Sequence, residues 1–407
     1  MGPLAGIKVL DLSRILAGPW ATQCLADFGA TVWKIEKPGS GDDTRHWGPP
    51  WVRDGKGKDT AEAAYFASTN RGKHSLAIDF TKPAGQKLIR SLALRADVLI
   101  ENFKVGTLER YHLGYDSLHR LNAKLIYCSI SAYGQDGPAA AEPGYDAMIQ
   151  AISGLMSVTG VPDGEPGAGP VKVGVAVSDL ITGLYAACGI VAALHEREKS
   201  GRGEHIDLAL LDTQVAALAN QALNYLVTGV PPVRRGTAHP NIVPYQAFAT
   251  KDGYLMLAVG NDRQFVAFCK AAGKDALAND ERFRTNAARV ENRKALVTAI
   301  DKLCRQKPTK TWLKILTREN VPCGAINNLA EVFAEPQVQH RKLQFKLRHA
   351  LGGQVPQVRN PLVFSRNTLE YEISPPLLGE HTAAVLVQEL GLSEDEIVSL
   401  KADGSIS

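Results

Sequence analysis

Ile7-Lys-Val-Leu-Asp-Leu12, Ala17-Gly-Pro-Trp-Ala-Thr-Gln-Cys-Leu-Ala-Asp-Phe28 and Thr31-Val-Trp-Lys-Ile-Glu36 follow one another at the head of the chain, with Gly29 between the second and the third. The first and last are apolar runs of strand length, the middle one is a small-residue run of helix length, and Gly29 stands where a helix C-terminus needs a left-handed residue. Strand, helix, strand is the opening of a parallel sheet covered on both faces. The alternation continues with a helix near Ala84 to Ala96 and strands at Asp97 to Glu101 and Lys124 to Ser129. A long apolar helix from Asp179 to about Arg197 carries Gly183, Ala186, Ala187, Gly189, Ala192 and Ala193, which predicts close packing against another element.

After Gly201-Arg202-Gly203 comes a further strand-then-helix pattern, and then the turn-rich stretch Gly229 to Pro244, which predicts a domain boundary. Beyond it the pattern changes. Asp252-Gly253 marks a hairpin, and amphipathic helices around Asp262–Ala272, Asn292–Cys304 and Thr309–Glu319 predict a smaller α+β domain. Short strands follow from about His340, and a last helix is expected near Glu380 to Leu390.

The net charge of +4 is spread over 407 residues without a Lys/Arg block, so nucleic acid is not an expected partner, while a pocket for one small anion needs only a few cations. Apolar runs are broken by Gly, Asp or Arg before the length of a membrane span, so no membrane is expected. The first strand begins almost at Met1, which leaves no room for a targeting peptide, and six scattered cysteines without a C-x-x-C pair read as reduced core thiols. A cytoplasmic protein is expected.

The common cofactor and catalytic signatures are missing. Leu16-Ala-Gly-Pro-Trp20 replaces a dinucleotide-binding glycine motif after the first strand, and no phosphate-binding loop, zinc-protease H-E-x-x-H or G-x-S-x-G occurs. The ten histidines show no metal-ligand spacing. Neither a metal nor a bound cofactor is expected.

Several segments, in order along the whole chain, resemble the family III CoA-transferases of the CaiB/BaiF type: Leu16-Ala-Gly-Pro; Lys34-Ile-Glu-Lys-Pro-Gly; Gly41-Asp-Asp-Thr-Arg; Asn70-Arg-Gly-Lys-His-Ser; Glu101-Asn-Phe; Tyr133-Gly-Gln-Asp-Gly-Pro; Pro143-Gly-Tyr-Asp; Val177-Ser-Asp-Leu-Ile-Thr-Gly; Lys199-Ser-Gly-Arg-Gly; and Pro376-Leu-Leu-Gly-Glu-His-Thr. Arg235-Gly-Thr-Ala-His-Pro-Asn-Ile-Val-Pro-Tyr-Gln is similar, more narrowly, to members that use succinyl-CoA and dicarboxylic acids, such as succinate–hydroxymethylglutarate CoA-transferase. The resemblance implies an interlocked homodimer of α/β chains, each with a Rossmann-like parallel-sheet large domain and an inserted smaller α+β domain. On that plan residues 1–205 are the first part of the large domain, 206–235 a linker, 236–330 the small domain, 331–360 a second linker, and 361–407 the return to the large domain.

By the same resemblance Asp179 is the catalytic residue; the alternative is that Asp179 or Ser178 merely caps the long helix. At a helix N-terminus its carboxylate is expected to stay ionised at neutral pH. An Asp oxygen attacking a thioester leaves a mixed anhydride, which keeps the acyl group activated. Acyl-CoA and free carboxylates are then the substrates, and CoA itself is no resident cofactor. Family correspondence points to Ile15, Leu16, Ala17, Lys37, Lys73, Asn102, Phe103 and Arg110 for CoA, with Lys37, Asn102 and Phe103 just past strand ends, where open α/β sheets bind ligands. Tyr145 and Asp146 are expected nearby. Arg45, Arg71 and His239 are candidates for a dicarboxylate's distal carboxylate, with solvent-facing or structural roles as the alternative.

Two departures from the family pattern stand out. Gly236-Thr-Ala-His-Pro-Asn holds one glycine where formyl-CoA transferases carry several, and Ser131 stands where they have a lysine. An α-methylacyl-CoA racemase is the alternative on the same fold, but it carries histidine where this chain has Tyr145, and tyrosine is a poor base at neutral pH. A non-catalytic acyl-CoA binding protein is the alternative from another class.

Overall fold

In the computed structural model, which describes residues 2–407, the opening alternation becomes a six-stranded parallel sheet. Its strands in chain order are β1 (Lys8–Asp11), β2 (Thr31–Glu36), β3 (Lys73–Ala77), β4 (Val98–Glu101), β5 (Ile126–Ser131) and β6 (His205–Ala209). Across the sheet they run β3-β2-β1-β4-β5-β6, every pair parallel, with Val9 of β1 opposite Val32 of β2 and Val98 of β4. The chain therefore winds outward from β1 to one edge and then from β4 to the other. Between β1 and β4 the loops leave the sheet in opposite directions and open a crevice at the strands' C-terminal ends.

Side chains alternate between two apolar layers, as a pleat requires. Val9, Val32, Val98, Ile100 and Ile126 face helix α1 (Ala17–Asp27) and a second helix. Leu10, Trp33, Leu76, Leu99 and Tyr127 face helix α2 (Pro83–Ala93) and the C-terminal residues Val385 and Leu386. The second helix on the first face comes from the region of α3 (Asp146–Ile152) and is α4 (Val177–Ser200), followed after β6 by α5 (Leu210–Ala217). Gly183 of α4 lies where an added Cβ would stand 2.5 Å from the carbonyl oxygen of Ala17, so only glycine permits this approach of α4 to α1.

The chain divides into two units. One comprises Met1–Leu155, Val173–Ala219 and Gln339–Ser407, the other Met156–Lys172 and Asn220–Val338. The second unit has its own core, in which an antiparallel sheet of Tyr245–Ala249, Tyr254–Ala258 and Cys323–Ala325 packs with Phe265, Phe268 and Trp312 from surrounding helices.

Several expectations need correcting. Residues 206–235 are not a linker: β6 extends the sheet, with His205 opposite Tyr127, and α5 and a helix at Ala219–Thr228 follow. The stretch 331–360 likewise contains a hairpin, Gln344–Arg348 with Gln354–Val358. β3 was hidden because it alternates Lys73, Ser75 and Ala77 with His74 and Leu76, and its inward polar groups are satisfied by partners distant in sequence. Helix α4 is long and apolar enough to cross a membrane by composition, contrary to expectation, because its Leu, Ile, Val and Ala residues outweigh the interrupting Gly and Asp; eight of its residues are buried. Of the six free cysteines, Cys188 on α4 is exposed rather than in the core.

Candidate active site

At the crevice between β1 and β4 lies a cavity of about 210 Å³, on the scale of a small acid and below the roughly 300–1,000 Å³ of drug-sized pockets. Seven of the expected residues line it: Ile15, Leu16 and Ala17 after β1, Asn102 and Phe103 after β4, Tyr145 ahead of α3, and Asp179 in the first turn of α4. The exposed acids Asp43 and Glu142 are at its mouth, whereas Asp179 is half-buried. No histidine or cysteine lines it among the described residues, so the paired acid/base groups of a racemase are not found here.

Asp179 does not cap its own helix. The cap position is Ala176, which offers no side chain, and the free N–H groups are taken by Asp146 at the start of α3. Asp146 Oδ1 accepts from the backbone nitrogens of Ser178 at 2.8 Å and Asp179 at 3.4 Å. Its other oxygen accepts from Gln150 Nε2 at 2.7 Å, and Gln150 Oε1 accepts from the Val173 nitrogen at 2.8 Å. The Ser178 hydroxyl donates to Gln214 of α5 at 2.8 Å. This buried polar net spends the helix-capping function on Asp146 and leaves the Asp179 carboxylate, which lines the cavity, without a hydrogen-bond partner among the described residues.

Burial, and then the neighbouring charge of Asp146, push the Asp179 carboxyl up to about 7. The expectation of a fully ionised group at neutral pH is therefore corrected: desolvation and a like charge outweigh the anion-favouring end of α4, and the two forms coexist near neutrality. The phenol of Tyr65 is itself pushed up by burial and by Asp179, Asp146 and Asp42, which places it in the field of the same acids. Its ring packs edge-on against Trp47 at 5.1 Å.

Asn102, besides lining the cavity, braces its wall. Its side chain accepts from the Arg14 nitrogen at 2.8 Å and donates to the Arg14 carbonyl at 2.7 Å, so it ties the β1 loop to the end of β4.

Five of the remaining expected residues do not line the cavity, and the sixth belongs to the second unit. Arg45 is buried, bound by both oxygens of Glu36 at 2.8 Å, by Glu62 at 3.0 Å and by the Pro376 carbonyl at 3.1 Å. Arg71 is buried on Asp27, at 2.6 and 2.9 Å, and Lys73 is buried between Asp11, Asn70 and the Pro19 carbonyl. With their donors spent on the protein, these three cannot take a substrate carboxylate or phosphate without breaking buried pairs. Lys37 is exposed on the loop after β2, and Arg110 is exposed in a short 3-10 helix after β4. His239 accepts from the Asn241 nitrogen at 3.0 Å.

Sequence reasoning missed Arg14 and Lys104, two cations lining the cavity. Arg14 pairs with Asp43 at 3.1 Å and lies over the Phe103 ring at 5.2 Å. Lys104 follows Phe103, a strand-end position, and Arg14 precedes Ile15, to which the resemblance pointed, so each lay one residue from an expected position. Tyr65 had no such signal. A larger hollow of about 1510 Å³ runs along the outer face of α4, lined by Leu184, Val191, Val355 and Phe364 among others; Asp27 and Arg71 in its wall are paired with each other, and Cys24, Cys188 and His195 also line it.

The sequence profile of CoA-transferase family III matches residues 4–382. The succinate–glutarate CoA-transferase of Agrobacterium fabrum is 50% identical over 386 residues, 95% of each chain. The succinyl-CoA:glutarate CoA-transferase of Homo sapiens is 44% identical over 405 residues, 99% of this chain and 90% of that one. A crystal structure of a CAIB/BAIF family protein from Brucella suis superposes with a TM-score of 0.83 at 47% identity, covering 95% of this chain and 99% of the other.

Proposed function

Because the chain belongs to the family III CoA-transferases, we propose that it moves CoA from succinyl-CoA to a dicarboxylic acid of glutarate's class, with Asp179 as the residue that is transiently acylated. The observation that carries this reading is the position of Asp179: a half-buried carboxylate in a cavity at the switch point of the sheet, with its hydrogen-bonding competitor Asp146 already occupied. The choice of acids is supported by the names of the two similar transferases, both of which pair succinate or its thioester with glutarate.

The steps follow from the chemistry of a carboxylate and a thioester. An oxygen of ionised Asp179 attacks the succinyl carbonyl, the C–S bond breaks, and CoA leaves as thiolate, giving a succinyl–aspartyl anhydride. The thiolate attacks the aspartyl carbonyl, succinate leaves, and an aspartyl-CoA thioester remains. A carboxylate oxygen of the acceptor acid then attacks that carbonyl and expels the thiolate. The thiolate attacks the acceptor's own carbonyl, releasing the new acyl-CoA and the Asp179 carboxylate. No redox partner is consumed, and the chain needs no resident cofactor.

The same reading gives the exposed cations Lys37, Arg110 and Lys104 to the phosphates of CoA, and has two copies interlock as a homodimer in the cytoplasm. Support for the dimer comes from the exposed apolar side chains along α4, Leu184, Tyr185 and Val191, which a second copy would cover. Free thiols at all six cysteines support a reducing compartment.

The test is a panel of acyl-CoA donors and free acids read by mass spectrometry, with the Asp179→Ala variant beside the parent. Exchange between succinyl-CoA and C5 or C6 diacids that disappears in the variant supports the reading. Deuterium uptake at an α-carbon without CoA exchange contradicts it.

A further inference from the structure

Gly41-Asp-Asp-Thr-Arg45 contributes no group to the acyl transfer, yet its first aspartate is bonded to the wall of the cavity. Asp42 is buried, and its carboxylate accepts the backbone N–H of Ile15 at 3.2 and 3.3 Å. It also takes Lys34 Nζ at 2.9 Å and the nitrogen and hydroxyl of Thr44 at 3.0 and 2.8 Å. Lys34, itself fully buried, balances the charge, so the carboxylate stands ready as an acceptor at a fixed point.

Ile15 is where that acceptor matters. Its φ is +71°, and among the described residues it is the one β-branched side chain in the left-handed region, where such residues are true outliers. A conformation of this kind persists only when the surroundings impose it. Here they impose it from two sides: Asn102 holds both polar groups of Arg14, and Asp42 holds the next N–H along. The strained residue leads directly into Leu16 and Ala17, which line the cavity, and the N–H groups of Ala17 and Gly18 at the start of α1 take no acceptor from the chain among the described residues.

We infer that Asp42 is a positioning residue of the transfer reaction: by holding Ile15 in its left-handed conformation it sets the Ile15–Ala17 turn against the acyl-CoA in the cavity. This rests on the reading of the cavity as the CoA-transfer site. Asp42 touches no reacting atom and acts through the backbone of Ile15.

The experiment is a double-mutant cycle of Asp42→Ala and Ile15→Gly, with KM for succinyl-CoA, kcat and thermal stability measured for each protein. Asp42→Ala in the parent is expected to raise KM by about tenfold, within the range of what one such strained residue costs, with kcat changed less. Glycine adopts a positive φ without strain, so in the Ile15→Gly background the same substitution is expected to raise KM by no more than about twofold. Asp42→Asn keeps an acceptor oxygen for Ile15 but not the charge for Lys34, so it should lose stability with Asp42→Ala while keeping a KM near the parent's.

An equal KM effect in both Ile15 backgrounds overturns the inference, as does a KM that merely follows stability across the Asp42 variants. If Asp42→Ala does not fold, Ile15→Pro carries the test, because proline's φ is fixed near −65°. It should raise KM with Asp42 in place, and an unchanged KM overturns the inference. Asp179→Ala is run alongside: residual transfer there removes the reading of the cavity itself, whereas a dead Asp179→Ala with an unmoved Asp42→Ala removes only the positioning role.

Discussion

The carboxylate of Asp146 lies 3.4 Å from the backbone nitrogen of Asp179 and 2.8 Å from that of Ser178, so one acid caps the helix that presents another. The arrangement fixes the backbone of the proposed nucleophile and also sets a like charge beside it. Together with burial, that charge pushes the Asp179 carboxyl up to about 7.

The first prediction concerns pH. Only ionised Asp179 attacks a thioester, so kcat/KM for succinyl-CoA should rise with pH through a limb near 7. Asp146→Asn keeps an acceptor for the Ser178 N–H and removes the charge, which should move the limb to lower pH. A limb that stays in place in this variant would assign it to another group.

The second prediction concerns stability. The folded-state carboxyl of Asp179 is raised, so the folded protein holds a proton that the unfolded chain releases above about 4. Its charged form therefore costs stability that grows from about pH 4 and is complete above about 7. Asp179→Asn should abolish transfer yet stabilise the protein by roughly 1–3 kcal/mol at pH 8, after allowing about 0.3–1 kcal/mol for the lost anion at the helix end. The gain should vanish toward pH 4, as followed by denaturant unfolding across the range.

Gly183→Ala provides a test of how α4 is seated. The new methyl would stand 2.5 Å from the Ala17 carbonyl oxygen. Ordinary helix propensity favours alanine by about 1 kcal/mol, but overpacking of this kind costs about 1–3 kcal/mol. The substitution should lower stability on balance, and because it displaces Asp179 against the β1 turn it should cut kcat by at least tenfold, on the scale of a misplaced catalytic group.

Arg45→Met separates a structural from a substrate-binding arginine. Both oxygens of buried Glu36 would lose their guanidinium, keeping only the Ser75 hydroxyl and the Asp42 N–H, at a cost of about 3–5 kcal/mol. KM for the acceptor diacid, measured in the folded fraction, should remain within about twofold of the parent. A large rise in KM without loss of stability would return Arg45 to the substrate.

The parallel sheet and the location of the cavity were legible because apolar runs and strand ends are local in the sequence. The family resemblance pointed to Asp179, Ile15 to Ala17, Asn102 and Phe103, and strand-end position added to it for Asn102 and Phe103. What failed were the buried cations. Arg45, Arg71 and Lys73 look like ligands for an anionic substrate, but Glu36, Asp27 and Asp11 are brought to them by β-strand pairing and α1, contacts that no local pattern announces. The same cause hid β3, whose Lys73 and Ser75 are tied to Asp11 and Glu36. The division of labour between Asp146 and Asp179 was equally invisible, since it depends on how α3 meets the start of α4.

The most direct measurement is covalent trapping at residue 179. The enzyme turning over succinyl-CoA is quenched with hydroxylamine or borohydride, digested, and mapped by mass spectrometry. The account predicts a hydroxamate or a reduced side chain at Asp179, dependent on acyl-CoA and absent without it. Full turnover with Asp179 unmodified, or with the adduct on another residue, would contradict it.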